Sequence, residues 1–85
     1  MRKTDVTYRQ LDKVLRSLGF TCRPGTKNPP GRIYEHKNSG AIIMLPAFLE
    51  NDKIYEHHLV AARSELDTFG IADPTTFDAK LQKAG

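Results

Sequence analysis

The chain is short of cysteine, of long apolar runs and of low-complexity sequence, and each shortage closes a class of function. A single thiol, Cys22, excludes an internal disulfide and is too little for a Cys-rich zinc site, a usage that fits a reducing cytoplasmic compartment. Cys22 itself reads as a small core hydrophobe in preference to a reactive thiol. The longest apolar stretch, Ala41 to Leu45, is far too short to span a bilayer, and no apolar run follows the charged N-terminus. Neither membrane insertion nor secretion is therefore expected. Missing too are a Gly-rich phosphate loop, a nucleophile with a base beside it in sequence, and a paired-carboxylate signature, so no cofactor is implied.

What is present fits one small domain. The 85 residues can bury only roughly 60–65% of their unfolded surface, so nearly every element must share the core and a deep active-site cavity is not expected. The net charge of +3 and a pI near 9.2 favour an anionic partner without naming it.

A first helix is predicted from Tyr8 to Leu18. Thr7 caps it with Gln10 reaching back, Val6 and Leu11 are placed as a hydrophobic staple, and Gly19 stands where a left-handed C-terminal residue belongs. Phe20 to Arg23 is short and β-prone, and Pro24 to Gly31 carries three prolines and two glycines, which no regular element tolerates. Arg32 to His36 and Ala41 to Leu45 then flank the turn Lys37-Asn38-Ser39-Gly40, the signature of a β-hairpin closed by Pro46. Residues 47–52 read as a connection, with Asn51 or Asp52 as cap of a second helix that buries Tyr55, Leu59, Ala62, Leu66 and Phe69 and stops at Gly70. Asp73 and Pro74 start a short third helix to about Lys83, anchored by Phe77 and Leu81. It can pack back on the sheet or mediate dimerisation.

The predicted order is α-β-β-β-α plus a terminal helix. It favours an α+β fold in which helices cover one face of a three-stranded antiparallel sheet.

At Tyr8 to Phe20, at Tyr34-Glu35-His36, at Ile42 to Leu45 with Pro46, and at His58-Leu59 opening a helix, the chain resembles the HicA-type, or YcfA-like, toxins of bacterial toxin–antitoxin systems. The resemblance spans about residues 7–70, with 73–84 beyond it. It implies a fold like that of double-stranded-RNA-binding domains, metal-independent cleavage of messenger RNA, and a cognate antitoxin as partner. The family's catalytic histidine lies in a Gly-Ser-His tract before the second strand, and this chain departs there. One alignment places Gly31 at that position, the other Lys27. Taking the proton of a 2′-hydroxyl needs a base near neutral pKa, which glycine lacks and an ordinary protonated lysine serves poorly.

The chain's own histidines therefore become candidates. His36, at the end of its strand, is either the acid or base of a relocated site or a strand-end histidine partnered by Glu35 or a backbone carbonyl. His57 and His58 open the second helix, where the macrodipole disfavours their protonation. One is expected to pack inward and the other to face solvent, and their adjacency on a helix makes chelation of a metal difficult. Arg23, Lys27, Arg32 and Lys37, with Arg2 and Lys3, can form a basic patch that holds RNA phosphates, with Tyr34 as a base-stacking residue. The plainer reading is a set of wet loop charges near Glu35 and Asp52, with the aromatic residues, Phe48 included, in core positions. Two rivals stand beside RNA binding: a non-catalytic protein-binding adaptor on the same fold, and DNA binding, which lacks a helix presenting Arg, Asn and Gln together.

Overall fold

The computed structural model describes residues 2–47 and 49–84, so Phe48, expected in the core, lies outside the described residues. Among them, five strands and three helices follow one another as β1 (Lys3–Thr7), α1 (Tyr8–Ser17), β2 (Thr21–Pro24), β3 (Arg32–His36), β4 (Ala41–Leu45), β5 (Lys53–Tyr55), α2 (Glu56–Thr68) and α3 (Pro74–Lys83). The fold is α+β, with an antiparallel sheet in the order β2-β3-β4 and helices packed against it.

Local chemistry explains most boundaries. Thr7 Oγ1 accepts from Gln10 N–H at 3.2 Å while Gln10 Oε1 accepts from Thr7 N–H at 2.8 Å, a complete capping box. At the other end of α1, Gly19 takes a φ of +96° and Phe20 N–H reaches the Leu15 carbonyl at 3.0 Å, satisfying groups the helix leaves unpaired. Gly70 closes α2 in the same way, with Ile71 N–H on the Leu66 carbonyl at 2.9 Å. Asp73 Oδ1 caps α3 through Thr76 N–H at 2.7 Å, with Pro74 as the first helical residue.

The β3–β4 hairpin pairs Arg32 with Leu45, Tyr34 with Ile43 and His36 with Ala41. Successive side chains alternate across the sheet. Tyr34, Ala41, Ile43 and Leu45 face the core, and Ile42 and Met44 lie exposed on the opposite face. Those inward residues join Leu11, Val14 and Leu15 of α1, Leu59, Ala62 and Leu66 of α2, and Phe77 and Leu81 of α3 in one apolar cluster. Cys22 packs half-buried at its edge, as a small apolar side chain does.

The order of elements departs from expectation at two strands. β1 and β5 form a second, two-stranded antiparallel sheet, pairing Lys3 with Tyr55 and Thr7 with Lys53. Lys-Ile-Tyr is too short to show a period, and its partner lies some fifty residues away, so no local signal announces the pair. This strand also displaces the expected cap of α2. Tyr55 occupies the cap position with no side-chain bond, and Asp52 instead accepts from Leu49 N–H at 3.0 Å. The Asp52 and Glu50 carbonyls accept from Tyr8 and Arg9 N–H, each at 3.0 Å, so the connection docks on the start of α1. Phe69, expected on the buried face, sits at the C-cap beyond the last helical residue and is 42% exposed. The terminal helix α3 packs chiefly on α1 and α2, tied by Gln10 Nε2 to the Leu81 carbonyl at 3.1 Å and by Arg63 to Asp78 at 2.9 Å.

Candidate nucleic-acid interface

The loop between β2 and β3 is pinched at its base, where Gly25 N–H donates to the Gly31 carbonyl at 2.9 Å. At Gly31 the backbone runs against β4 so closely that any Cβ would fall deep inside the van der Waals radius of the Leu45 carbonyl oxygen. Only glycine fits there. The alignment that places the family histidine at position 31 therefore has no room for that side chain.

On one side of this neck lies an open groove of about 530 Å³, whose lining includes Asp12 and Arg16 of α1, Arg23 of β2, Arg32 of β3, Cys22 and Glu50. Asp12 is its hub. The Tyr34 hydroxyl donates to Asp12 Oδ1 at 2.6 Å, Arg16 Nε donates to both carboxylate oxygens at 3.1 Å, and an Arg32 terminal nitrogen stands 3.5 Å from Oδ1. Helical spacing sets Asp12 and Arg16 four apart on one face, and strand alternation puts Arg32 and Tyr34 on the same side of β3. Burial, then the Asp12 carboxylate, pushes the Tyr34 phenol far above its ordinary range, so it stays a donor. Arg16 is raised chiefly by its hydrogen bond to Asp12, and Arg32 by one to Tyr34. Arg23 is paired through Nε with Glu35. Because Arg16 and Arg23 both engage their carboxylates through Nε, their terminal guanidinium nitrogens have no partner among the described residues. Those nitrogens suit bidentate binding of a phosphate.

A second groove, about 670 Å³, shares Gly31 and Arg32 with the first and adds Lys27, Asn28, Ile33, Met44 and His58. Lys27 is exposed and has no ionic partner among the described residues. His58 enters from the first turn of α2, with Nδ1 3.2 Å from the Tyr8 hydroxyl. Burial, followed by the neighbouring His57, lowers its pKa below the ordinary 6.5. The Tyr8 phenol is itself raised by burial, against the opposing effect of a backbone hydrogen bond at Tyr55.

The expected site is thus divided. Arg23, Lys27 and Arg32 gather around the neck. Tyr34 is the clear correction: its ring is fully buried and its hydroxyl is spent on Asp12, so no base can stack on it. His36 lies four residues along β3 from Arg32, about 13 Å at ordinary strand rise, and lines neither groove. Its Nδ1 is 2.8 Å from Ser39 Oγ, its ring packs on Phe20 at 5.1 Å, and Nε2 faces Gly19; Glu35, proposed as its partner, pairs with Arg23 instead. Lys37 sits beyond it in the turn. Arg2 and Lys3 are drawn to Glu56 and to the face of Tyr55.

Asp12 and Arg16 went unread as site residues, although an acid four places before a base on a helix was visible. His58 was read in sequence only as half of a histidine pair opening a helix, with nothing to place it in a groove, because that groove is made by the loop and β4. No group of three or more His, Cys, Asp or Glu suited to a metal occurs among the described residues, and no helix among them is long and apolar enough to cross a membrane. Comparison of the chain with protein-family models, with curated proteins and with solved structures gives no match.

Proposed function

We propose that this chain is a HicA-like cytoplasmic RNA-binding protein, the toxin half of a toxin–antitoxin pair with its catalytic site altered, whose loop neck holds phosphates. The observation that carries the reading is the gathering of three guanidiniums, Arg16, Arg23 and Arg32, in one groove, with Lys27, unpaired among the described residues, in the groove beside it. Cations on two adjoining grooves can engage more than one phosphate of a backbone at once. Contacts of this kind read shape and not sequence, as in recognition of double-stranded RNA. A cognate antitoxin would then act by covering the same neck.

Retention of an RNA hairpin by the full chain, measured across a series of salt concentrations, tests this. Binding that weakens steeply as salt rises, and that weakens further in Lys27→Ala and Arg16→Ala, is the expected result. No retention at low salt sinks it. One observation favours a different class: Met44 is 73% exposed and Ile42 47% exposed on the uncovered sheet face, an apolar pair suited to a protein partner. An adaptor of that kind would bind with little dependence on salt and would lose its partner in Met44→Asp.

A further inference from the structure

We propose, independently of the RNA-binding reading, that the free edge of β4 docks a second copy of this chain, whose own β4 pairs with it antiparallel about Ile43 once Glu65 releases the Ile42 N–H. In the order β2-β3-β4, β4 has a neighbour on one side only. Directly opposed residues of an antiparallel ladder alternate between pairs that exchange both backbone bonds and pairs that exchange none. Ile42, opposite Glu35, sends its N–H out of the ladder to Glu65 Oε2 of α2 at 3.1 Å, so that pair is of the second kind. Alternation puts Met44, opposite Ile33, in the same state. The N–H and carbonyl groups of Ile42 and Met44 therefore point away from β3, and among the described residues those of Met44 meet no partner.

The chemistry of this edge selects its occupant. Edge strands are ordinarily blunted by a charged side chain, a proline or a bulge, and Ala41 to Leu45 carries none of these. Among the described residues the Glu65 carboxylate is the guard, and it covers a single N–H. With no charge on the strand there is nothing for an oppositely charged partner to meet, and what fits is an equally uncharged, apolar strand. A second β4 is one. Laid antiparallel about Ile43, the middle residue of the strand, it sets Ile42 against Met44 of the second copy and Met44 against Ile42 of the second copy, so that each outward N–H faces an outward carbonyl. The operation is its own inverse, as a two-fold axis requires. On the uncovered face, Ile42 and Met44, with Ile33 beside Met44, close with their counterparts into one apolar centre, and Arg23 paired with Glu35 stands at its rim. The turn 37–40 before the strand and Pro46 after it confine the pairing to β4. The carbonyl of Met44 from the second copy takes the place of the Glu65 carboxylate on the Ile42 N–H, so Glu65 competes with the dimer and keeps it weak.

Sedimentation equilibrium of the full chain over a range of concentrations, with amide hydrogen exchange followed in parallel, tests this. The unaltered protein is expected to pass from monomer to dimer below about 1 mM chain. Exchange at the Met44 N–H should slow as the dimer forms, while the Ile43 N–H, which faces β3, keeps one rate throughout. Glu65→Ala removes the competing carboxylate and should tighten the dimer about tenfold. Met44→Pro deletes the outward donor at a position where an edge strand tolerates proline, and should abolish the dimer. Should that variant fail to fold, Ile42→Lys takes its place: the side chain is exposed, and a charge carried into the apolar centre should weaken the dimer at least about tenfold. A chain that stays monomeric up to about 1 mM overturns the proposal. So does a dimer in which the Met44 N–H exchanges as fast as in the monomer, or one that Met44→Pro or Ile42→Lys leaves intact, since the copies would then meet elsewhere. A Glu65→Ala dimer no tighter than that of the unaltered protein overturns the part assigned to Glu65.

Discussion

The two ends of the β3–β4 hairpin are built on opposite principles. At the turn, the His36 and Ser39 side chains find partners within a few residues: Ser39 Oγ meets His36 Nδ1 at 2.8 Å and accepts from Ala41 N–H at 3.2 Å, and Gly40 supplies the positive φ, +81°, that lets its N–H reach the His36 carbonyl at 2.8 Å. At the opposite end the chain leaves through the proline-rich loop, which cannot satisfy itself locally, and α1 and α2 bring in Asp12, Arg16 and His58 from outside. A self-satisfied turn has little binding capacity left. Among the described residues, the loop neck keeps guanidinium nitrogens of Arg16 and Arg23, the Lys27 ammonium and an imidazole nitrogen of His58 without partners, which is why function is sought there.

The comparison breaks or holds first on two glycines. Adding a methyl group at Gly31 drives it into the Leu45 carbonyl, a backbone atom that cannot swing away, so Gly31→Ala should cost about 2–3 kcal/mol and spoil both grooves. Gly40→Ala meets nothing within 4 Å and should cost only about 1 kcal/mol, the penalty for a side chain at positive φ. Urea unfolding of both variants gives the ratio. Equal costs would mean that the neck is not rigid.

Next in size is Tyr34→Phe, which removes the donor to Asp12 and leaves that carboxylate to Arg16 and Arg32. The loss of a hydrogen bond to a charged group should lower stability by about 1.5–2 kcal/mol in the same assay. A neutral result would show that Arg32 takes over the vacated lone pair, and that the hub is held from the loop end alone.

Much of this difference was legible in sequence, and what was hidden has a physical reason. Thr7 with Gln10, Gly19, the turn 37–40 and Asp73-Pro74 are local signals, and the helices and hairpin fall where they place them. β1 and β5 depend on pairing across the whole chain, and a three-residue strand carries no period. At the site, Arg23, Lys27 and Arg32 were visible as loop cations, whereas Tyr34 was misplaced because Arg32 stands close to it in sequence, although its ring pairs across to Ile43 and joins the apolar cluster. Ile33 and Glu35 point to the other side of the sheet, and of the three residues on the inner side, Arg32, Tyr34 and His36, only the central one is fully covered by the helices. His36 attracted attention by type, but type says nothing of which end of a strand opens to a groove.

The lysines sharpen the contrast in binding. Lys27→Ala at the neck should weaken RNA retention a few-fold at low salt and reduce the slope of log affinity against log salt by about 1, the signature of one lost phosphate contact. Lys37→Ala in the turn should change the slope by less. If the two changes are equal, the RNA runs along the hairpin and not across its loop end.

The smallest expected effect is on the pH dependence of stability, and its sign follows from burial of His58. Its folded-state pKa lies below the unfolded 6.5, chiefly through desolvation and then through His57, so the unfolded chain binds the extra proton more readily. The stability contributed by the neutral ring is therefore fully present above about pH 6.5 and is lost as pH falls through the depressed folded value. Thermal unfolding followed from neutral pH downward should show the midpoint declining across that window, and His58→Gln should flatten the decline, since glutamine does not titrate. The ring is only partly buried, so solvent screening keeps the effect small. A midpoint that falls equally in both proteins would place the pH sensitivity elsewhere and would mean that His58 sits in water, where an imidazole has no reason to stay neutral and the loop end loses its advantage over the turn.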